Sequence, residues 1–178
     1  MFTGIVQGIA TVESLDARPG LTTFVIRFPE GSLEGVTTGA SVAINGTCLT
    51  VTAQQDNQLW FDAMQETLRL TTLGELAEGS QVNFERAARI GDEIGGHLLS
   101  GHIHCTARVV SYIAVNGASL TIGDVEANRF NVHLIPETLR ATTFSDIHPG
   151  DRVNIEVDSQ TQTIVDTLAR MGYDRPAG

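Results

Sequence analysis

The chain contains no lysine, and its 178 residues carry a formal charge of −10. The 11 positive side chains are therefore all arginines, set against 21 Asp and Glu residues, and they form no basic run. Binding to nucleic-acid phosphates needs clustered positive charge. The composition argues against nucleic acid as a partner.

Long apolar runs are also missing, since no stretch reaches the length of about 18 residues that a membrane span needs. The first residues, MFTGIVQG, lack the charged region and apolar core of a signal peptide. The two cysteines, Cys48 and Cys105, are too few for a disulfide framework and have no metal-site spacing. We expect a cytoplasmic protein with reduced thiols and no membrane segment.

One seven-residue phrase of the sequence occurs twice in similar form, as NGTCLTV at 45–51 and NGASLTI at 116–122. The shift of 71 residues that superposes these phrases also carries ETLR at 66–69 onto ETLR at 137–140, and VN at 82–83 onto VN at 153–154. Glu85 then falls on Glu156. Matches this long at one shift predict two copies of one unit, and thus two similar domains.

The beginnings of the copies match at a different shift, 97, which carries Thr3-Gly4 onto Ser100-Gly101 and Ala10 onto Ala107. The second copy therefore lacks about 26 residues, all of them before Asn116. It is naturally shortened, engineered, or written without a segment that the protein has. We favour the last, because losing that many strands leaves open sheet edges. The predicted domains are 1–94 and 95–158, the second lacking those residues near 110–115, with a tail at 159–178.

Short apolar or alternating runs bounded by Gly, Pro, Asn or Asp predict a mostly β protein. The predicted strands are GIATVESL, TTFVIRF, SVAING, CLTVTA and QLWFDAM, with GSQVNFE and GDRVNIEV as closing strands. Many short strands with turn signals predict an all-β fold of two pseudo-symmetric Greek-key barrels. ETLRLTTL and ETLRATTF predict single helical turns.

The tail has a different pattern, since Ile164, Val165, Leu168 and Met171 lie at helical spacing after Ser159, a suitable N-cap. This predicts a C-terminal α-helix outside both repeats. We expect its apolar face to pack on another subunit.

Positions at which the two copies differ are candidates for functional residues, although sequence drift between the copies explains these differences nearly as well. Ile5 becomes His102, Cys48 becomes Ser119, and Asp62 becomes His133. His102 replaces an expected packing residue by an imidazole, a side chain that is suited to proton transfer.

Several reactive side chains also have plain structural interpretations. His97 and His104 flank His102 without zinc-site spacing, so core histidines are the simpler interpretation. Cys48 is a possible nucleophile, but no activating base is evident and burial as a small apolar residue explains it better. Glu66 and Glu137 precede Arg69 and Arg140 by three residues, which is ion-pair spacing. Thr50, Ser119 and Thr121 can hydrogen-bond a polar ring edge, or are simply good strand formers.

Together MFTGIVQG, NGTCLTV, GGHLLSGH, NGASLTI and HLIPETL resemble the riboflavin synthase family of small homotrimeric β-barrel proteins. The motifs stand in the family's order over nearly the whole chain. The resemblance implies a transferase that needs no metal and no redox cofactor. It dismutates two molecules of 6,7-dimethyl-8-ribityllumazine by four-carbon transfer, giving riboflavin and 5-amino-6-(ribitylamino)uracil. It further implies a homotrimer built on the C-terminal helix, with each site between barrels of neighbouring subunits.

The resemblance also implies the site residues. In barrel one it places ligand contacts on Gly4, Ile5, Val6, Cys48, Leu49, Thr50, Asp62, Ala63, Met64, Gln65, Glu66 and Thr67. In barrel two it places them on Gly101, His102, Ile103, Ser119, Leu120, Thr121, His133, Leu134, Ile135, Pro136, Glu137 and Thr138. We expect His102 to transfer a proton, Ser41, Cys48 and Thr50 to assist at the attacked ring, and Phe2 to stack on or close the site.

The chain departs from the family at two places. The family usually has Asp where this chain has Asn116, and a ligand-contacting Lys just before IAVNG that this chain lacks. Two alternatives stay open: a non-catalytic lumazine- or flavin-binding protein of the same fold, and an inactive trimer scaffold. Retention of Cys48, His102, Ser119 and both threonines favours the enzyme.

Overall fold

The structure is a computed structural model, and it describes residues 1–93, 99–103, 105–108, 116–120, 122–126 and 129–156. Three predicted site or core residues, His97, His104 and Thr121, lie outside the described residues. So do the predicted C-terminal helix and the interval 109–115, where the second copy is short.

The first copy folds into a closed six-stranded barrel. Its strands are β1 (Gly8–Arg18), β2 (Leu21–Arg27), β3 (Ser41–Ile44), β4 (Thr47–Gln55), β5 (Gln58–Met64) and β6 (Gln81–Arg86). Around the barrel the order is β1-β2-β5-β4-β3-β6, so β2 pairs with β5 and β3 with β6 across long connections. These crossings confirm the predicted Greek-key barrel.

Alternation along the strands decides which side chains enter the barrel. In β5, Leu59, Phe61 and Ala63 are buried, while Asp62 and Met64 point outward. β2 adds further fully buried side chains to the same core. Each such large apolar side chain contributes about 1.5–3 kcal/mol on leaving water, and this side-chain burial fixes the register of each strand.

A short helix follows β5 in the first copy, and another follows the equivalent strand of the second copy. These are α1 (Gln65–Leu70) and α2 (Pro136–Ala141), each continued by a 3₁₀ turn, Thr72–Glu75 and Thr143–Asp146. The turns begin in the same way, because Thr71 Oγ1 accepts from Leu73 N and Thr142 Oγ1 accepts from Phe144 N. The predicted helical turns are confirmed.

The described strands of the second copy repeat the registers of the first. They are β7 (Cys105–Arg108), β8 (Ile122–Glu126), β9 (Arg129–Val132) and β10 (Arg152–Ile155). β7 pairs with β10 as β1 pairs with β6, so Ala107 faces Val153 where Ala10 faces Val82. β8 pairs with β9 as β4 pairs with β5, including the irregularity in the middle of the ladder. The internal duplication is confirmed at the level of hydrogen-bond register.

Buried asparagines join the two copies. Asn83 accepts from Thr143 N at 2.8 Å and donates to the carbonyl oxygen of Asn116 at 3.1 Å. The repeat-equivalent Asn154 accepts from Thr72 N at 2.8 Å and donates to the carbonyl oxygen of Asn45 at 2.7 Å. Both asparagine side chains are buried, so each satisfies backbone groups of the opposite copy that water cannot reach.

Two glycines meet back to back beside this network. A Cβ on Gly46 would lie 2.8 Å from the nitrogen of Gly117, and a Cβ on Gly117 would lie 2.8 Å from the nitrogen of Gly46. The copies are therefore in backbone contact around an approximate two-fold axis. No helix among the described residues is long and apolar enough to cross a membrane.

Candidate functional site

Polar side chains share the outer face of barrel one. Ser41 on β3 lies directly across from Thr50 on β4, and Cys48 lies two residues before Thr50 on the same face. Asp62 on β5 also points outward, where its Oδ1 accepts from Thr23 Oγ1 at 2.7 Å. This arrangement offers a thiol, hydroxyls and a carboxylate on one sheet surface, outside the barrel rather than inside it.

Two of the proposed contact residues point the other way. Leu49 and Ala63 are buried in the barrel core. Only their backbone groups can meet a ligand on the outer face, because neighbouring strand residues alternate between faces.

A segment of the second copy packs against Cys48 and forms one wall of the candidate site. The Cys48 N–H donates to the carbonyl oxygen of Gly101 at 2.9 Å. A Cβ on Gly101 would lie 2.5 Å from Cys48 Cβ, so only glycine allows this close approach, and its φ is +79°.

The equivalent wall, at Ser119, is formed by a segment of the first copy. The Ser119 N–H donates to the carbonyl oxygen of Gly4 at 2.9 Å, and a Cβ on Gly4 would lie 2.6 Å from Ser119 Cβ. Val6 packs on the apolar cluster of the second copy, against Ala118, Val132 and Phe144.

The two glycine segments therefore lie against the opposite copy, across the grouping of contacts by barrel that the resemblance implies. Gly4, Ile5 and Val6 accompany the segment of Ser119 in copy two, whereas Gly101, His102 and Ile103 accompany the Cys48 strand of copy one. The physical reason is that each segment crosses between the copies before it enters its own barrel.

His102 and its repeat partner Ile5 both face solvent. Ile5 is 43% exposed, and His102 is exposed with its N–H donating to Ser100 Oγ at 3.1 Å. The expectation that Ile5 is a packing residue was wrong, because the crossing segment turns this position outward in both copies. His102 directly follows Gly101, whose carbonyl oxygen accepts from Cys48 N, so the His102 backbone lies on the Cys48 side of the site.

Phe2 occupies the core rather than the mouth of the site. Its side chain is 1% exposed and packs against Leu99, Ala43 and Cys48. Phe2 and Leu99 also exchange both backbone hydrogen bonds, at 2.8 and 2.9 Å. Stacking on a bound ring would require Phe2 to leave this position, so here it supports the wall behind Cys48.

Large apolar side chains are exposed at equivalent points of both walls. Met64 is 68% exposed just before α1, and Ile135 is 63% exposed just before α2. Asp62 lies two residues before Met64 in the sequence, and the exposed His133 lies two residues before Ile135. The two exposed apolar side chains thus stand at repeat-equivalent positions of the two copies.

The proposed residues at the helix starts form ion pairs. Arg69 Nη2 lies 2.6 Å from Glu66 Oε1, and Arg140 pairs with Glu137 in the same way. The hydrogen bond from Arg69 lowers the pKa of the exposed Glu66 carboxyl. The interpretation of both glutamates as ion-pair partners is confirmed.

Sequence reasoning gave no role to Glu85 and Glu156, although both copies keep a Glu there. Glu85 is 3% exposed and accepts from Thr3 and Gly4. Burial raises the pKa of the Glu85 carboxyl, against the hydrogen bonds from Thr3, which act to lower it. The available signal was that both copies keep a Glu at the equivalent place of the closing strand.

Asn116 has a structural role in this chain. Its Oδ1 accepts from Asn154 N at 2.8 Å, as Asn45 Oδ1 accepts from Asn83 N at 2.8 Å. Its φ is +35°, which Asn tolerates better than most residues. Asn116 therefore belongs to the joint between the copies.

The family model of the lumazine binding domain matches residues 3–87 and again residues 100–158. The chain is 48% identical to a riboflavin synthase of Escherichia coli (strain K12) over 198 aligned positions, covering 96% of this chain and 93% of that protein. It is 39% identical to a riboflavin synthase of Chlamydia pneumoniae, covering 96% of both chains. A crystal structure of LumP complexed with flavin mononucleotide superposes with a TM-score of 0.82 at 26% identity, covering 88% of this chain and 99% of that one.

Proposed function

Because the chain belongs to the riboflavin synthase family, we propose that it dismutates two molecules of 6,7-dimethyl-8-ribityllumazine. One lumazine gives a four-carbon unit to the other, and the products are riboflavin and 5-amino-6-(ribitylamino)uracil. These two products contain all the atoms of the two substrates. The balance therefore needs no oxidant, reductant or group carrier.

The observation that carries this proposal is that one wall is built twice with different side chains. In both copies the backbone N–H at this position, Cys48 or Ser119, donates to the carbonyl oxygen of a crossing glycine. Equivalent walls suit two molecules of one ligand, and their differing side chains allow the two molecules to play different parts.

His102, Cys48, Thr50 and Ser41 are the groups we place at the chemistry. Ser41, Cys48 and Thr50 share one face of β3 and β4, and the segment of His102 is bonded to Cys48. The imidazole can take or return the proton of an acidic methyl group on the lumazine ring. The thiol and hydroxyls can assist addition at the ring that is attacked.

We further propose that the working form is a homotrimer, with each site between barrel one of one subunit and barrel two of its neighbour. The exposed Met64 and Ile135 support this, because both walls leave apolar surface uncovered in a single chain. Two rings held face to face would gain rate from their effective concentration.

The proposed domains are the two barrels and the tail, with a segment missing from the second barrel. The alignment with the Escherichia coli relative has 198 positions against 178 residues here, which supports the shortfall that the two repeat shifts revealed. The described core supports it too, since Leu59 is fully buried whereas its equivalent Phe130 is partly exposed.

We place the protein in the cytoplasm. Cys48 is a free thiol on the candidate site, and thiols stay reduced in that compartment.

A non-catalytic lumazine-binding protein is not favoured. LumP structures with riboflavin and with 6,7-dimethyl-8-ribityllumazine are only 25% and 26% identical to this chain. The riboflavin synthase relatives reach 48% and 39% over nearly the whole chain.

The test is to mix the protein with 6,7-dimethyl-8-ribityllumazine and to follow the absorbance and fluorescence of riboflavin. We expect one riboflavin for every two lumazines consumed. Tight binding without turnover would overturn the enzyme, and absence of binding would overturn both the enzyme and the binding protein. The oligomer is read separately by sedimentation of the same sample.

A further inference from the structure

The last strand of barrel one ends in a carboxylate that holds the chain's first residues. Glu85 Oε1 accepts from Thr3 N at 2.5 Å and from Thr3 Oγ1 at 2.8 Å, and Glu85 Oε2 accepts from Gly4 N at 3.2 Å. Ile5 N then donates to Thr3 Oγ1 at 3.3 Å. The segment is therefore fixed by its backbone as well as by a side chain.

The same arrangement is built again in the second copy. Glu156 Oε1 accepts from Ser100 N at 2.7 Å, from Ser100 Oγ at 3.0 Å and from Gly101 N at 3.1 Å. His102 N donates to Ser100 Oγ, as Ile5 N donates to Thr3 Oγ1. Duplication has kept the carboxylate, the hydroxyl and the glycine together.

Each held glycine presents its carbonyl oxygen to the opposite copy. Gly4 accepts from Ser119 N, and Gly101 accepts from Cys48 N, both at 2.9 Å. Hydrogen bonds therefore connect Glu85 through Gly4 to Ser119, and Glu156 through Gly101 to Cys48.

We propose that Glu85 and Glu156 are positioning residues that act crosswise, each fixing the wall of the pocket that belongs to the other copy. Glu156 of copy two sets where Gly101 and His102 stand against the Cys48 strand, and Glu85 of copy one sets Gly4 against Ser119. The inference rests on the proposed function for its effect on turnover, but not for the crosswise geometry.

The physical reason is that a carboxylate with three donors holds its segment more firmly than neutral groups would. Removing it leaves three donors to find other partners, and the glycine is then free to move away from the strand. A misplacement of about 1 Å in a catalytic wall can reduce turnover on the order of 100-fold.

The experiment compares Glu156→Ala with Glu85→Ala, reading hydrogen exchange at the Cys48 and Ser119 amides by NMR. We expect Glu156→Ala to accelerate exchange at Cys48 about tenfold or more relative to Ser119, and Glu85→Ala to do the reverse, since residues in one contact chain couple and separated ones do not. Equal acceleration at both amides, or none at either, would overturn the proposal.

Glu156→Gln is the conservative control. The three hydrogen bonds that Glu156 accepts from described residues all end on Oε1, so the amide oxygen of glutamine can accept them and should restore slow exchange at Cys48. If the alanine variant does not fold, Glu156→Asp replaces it, because the shorter side chain withdraws the carboxylate while keeping its charge. Fast exchange in Glu156→Gln as well would overturn the positioning role.

Turnover separates this inference from the proposed function. With 6,7-dimethyl-8-ribityllumazine, Glu156→Ala should lower kcat about tenfold or more and Glu156→Gln should recover most of that loss. Crossed exchange effects in a protein that makes no riboflavin would sink the proposed function alone. An active protein whose amides do not respond crosswise would sink the positioning role alone.

Discussion

At the scale of single residues, His102 and Ile5 form a matched pair. Both are exposed at the same point of a crossing segment, so burial does not distinguish them and only chemistry does. A titratable ring at one of two equivalent positions suits a reaction in which the two bound molecules are treated differently.

His102→Gln should therefore slow turnover far more than it weakens binding. We expect kcat to fall about 100-fold or more, the usual size of a general acid–base contribution, while the Kd for lumazine changes little. Ile5→Gln, which adds the same amide at the equivalent position, is the control and should affect kcat far less. Equal losses in kcat and in binding would show that His102 only positions the ligand.

Glu85 makes a prediction about pH. Burial raises the pKa of its carboxyl above the ordinary 4.5, so the folded protein binds this proton more tightly than the unfolded chain does. The resulting stabilisation is complete below pH 4.5 and is lost as the pH rises through the folded-state pKa. Glu85→Gln has no such titration.

The free energy of unfolding of the parent protein minus that of Glu85→Gln should thus decrease as the pH rises above 4.5. Urea denaturation of both proteins over a pH series measures this difference, in which the other carboxyls largely cancel. A difference that rises with pH would mean that the hydrogen bonds from Thr3 and Gly4 outweigh the burial of the charge.

At the scale of structural elements, the turn between β3 and β4 joins the copies. Gly46 and Gly20 both have a φ of +81°, but a Cβ on Gly20 would meet nothing within 4 Å, whereas one on Gly46 would lie 2.8 Å from the Gly117 nitrogen. The pair therefore separates backbone strain from contact between the copies.

Gly20→Ala should cost about 1–2 kcal/mol, the strain of a left-handed residue with a side chain. Gly46→Ala should cost a further 1–3 kcal/mol, roughly the penalty of overpacking, because two backbones must separate. Urea denaturation of both variants gives the comparison. Equal losses would mean that the contact with Gly117 yields without cost.

Elements could be predicted from the sequence where the pattern is local. QLWFDAM is a short, mostly apolar run of strand length, and β5 spans those seven residues. The repeat shifts likewise gave the correct correspondence between strands. The crossing of Gly4 and Gly101 could not be predicted, because it depends on hydrogen bonds between distant segments that have no periodic signature. The outward turn of Ile5 was missed for the same reason.

At the scale of the whole molecule, the described strands of the two copies differ in how completely they are paired with neighbours. β5 lies between β2 and β4 in a complete barrel, while the one partner of β9 among the described residues is β8. The chain has seven residues, 109–115, for an interval that takes 33 in the first copy, 12–44. Seven residues span at most about 25 Å, too short to supply both a counterpart of β2 and a counterpart of β3.

In a chain that has only these seven residues in the interval, the second copy should therefore open more readily than the first. Phe61 on β5 is fully buried, and its equivalent Val132 on β9 is 8% exposed within a smaller described cluster.

Since local opening follows buried apolar contact, amides in the β8–β9 ladder should exchange with a free energy at least about 1.4 kcal/mol below that of the β4–β5 ladder, which is tenfold in rate. Native-state hydrogen exchange read by NMR compares equivalent pairs directly, Ile122–Val132 against Val51–Phe61, whose registers are the same. Equal protection would show that residues outside the described part of the chain close the second barrel as completely as β2 closes the first, and the proposed shortfall would then carry no cost in stability.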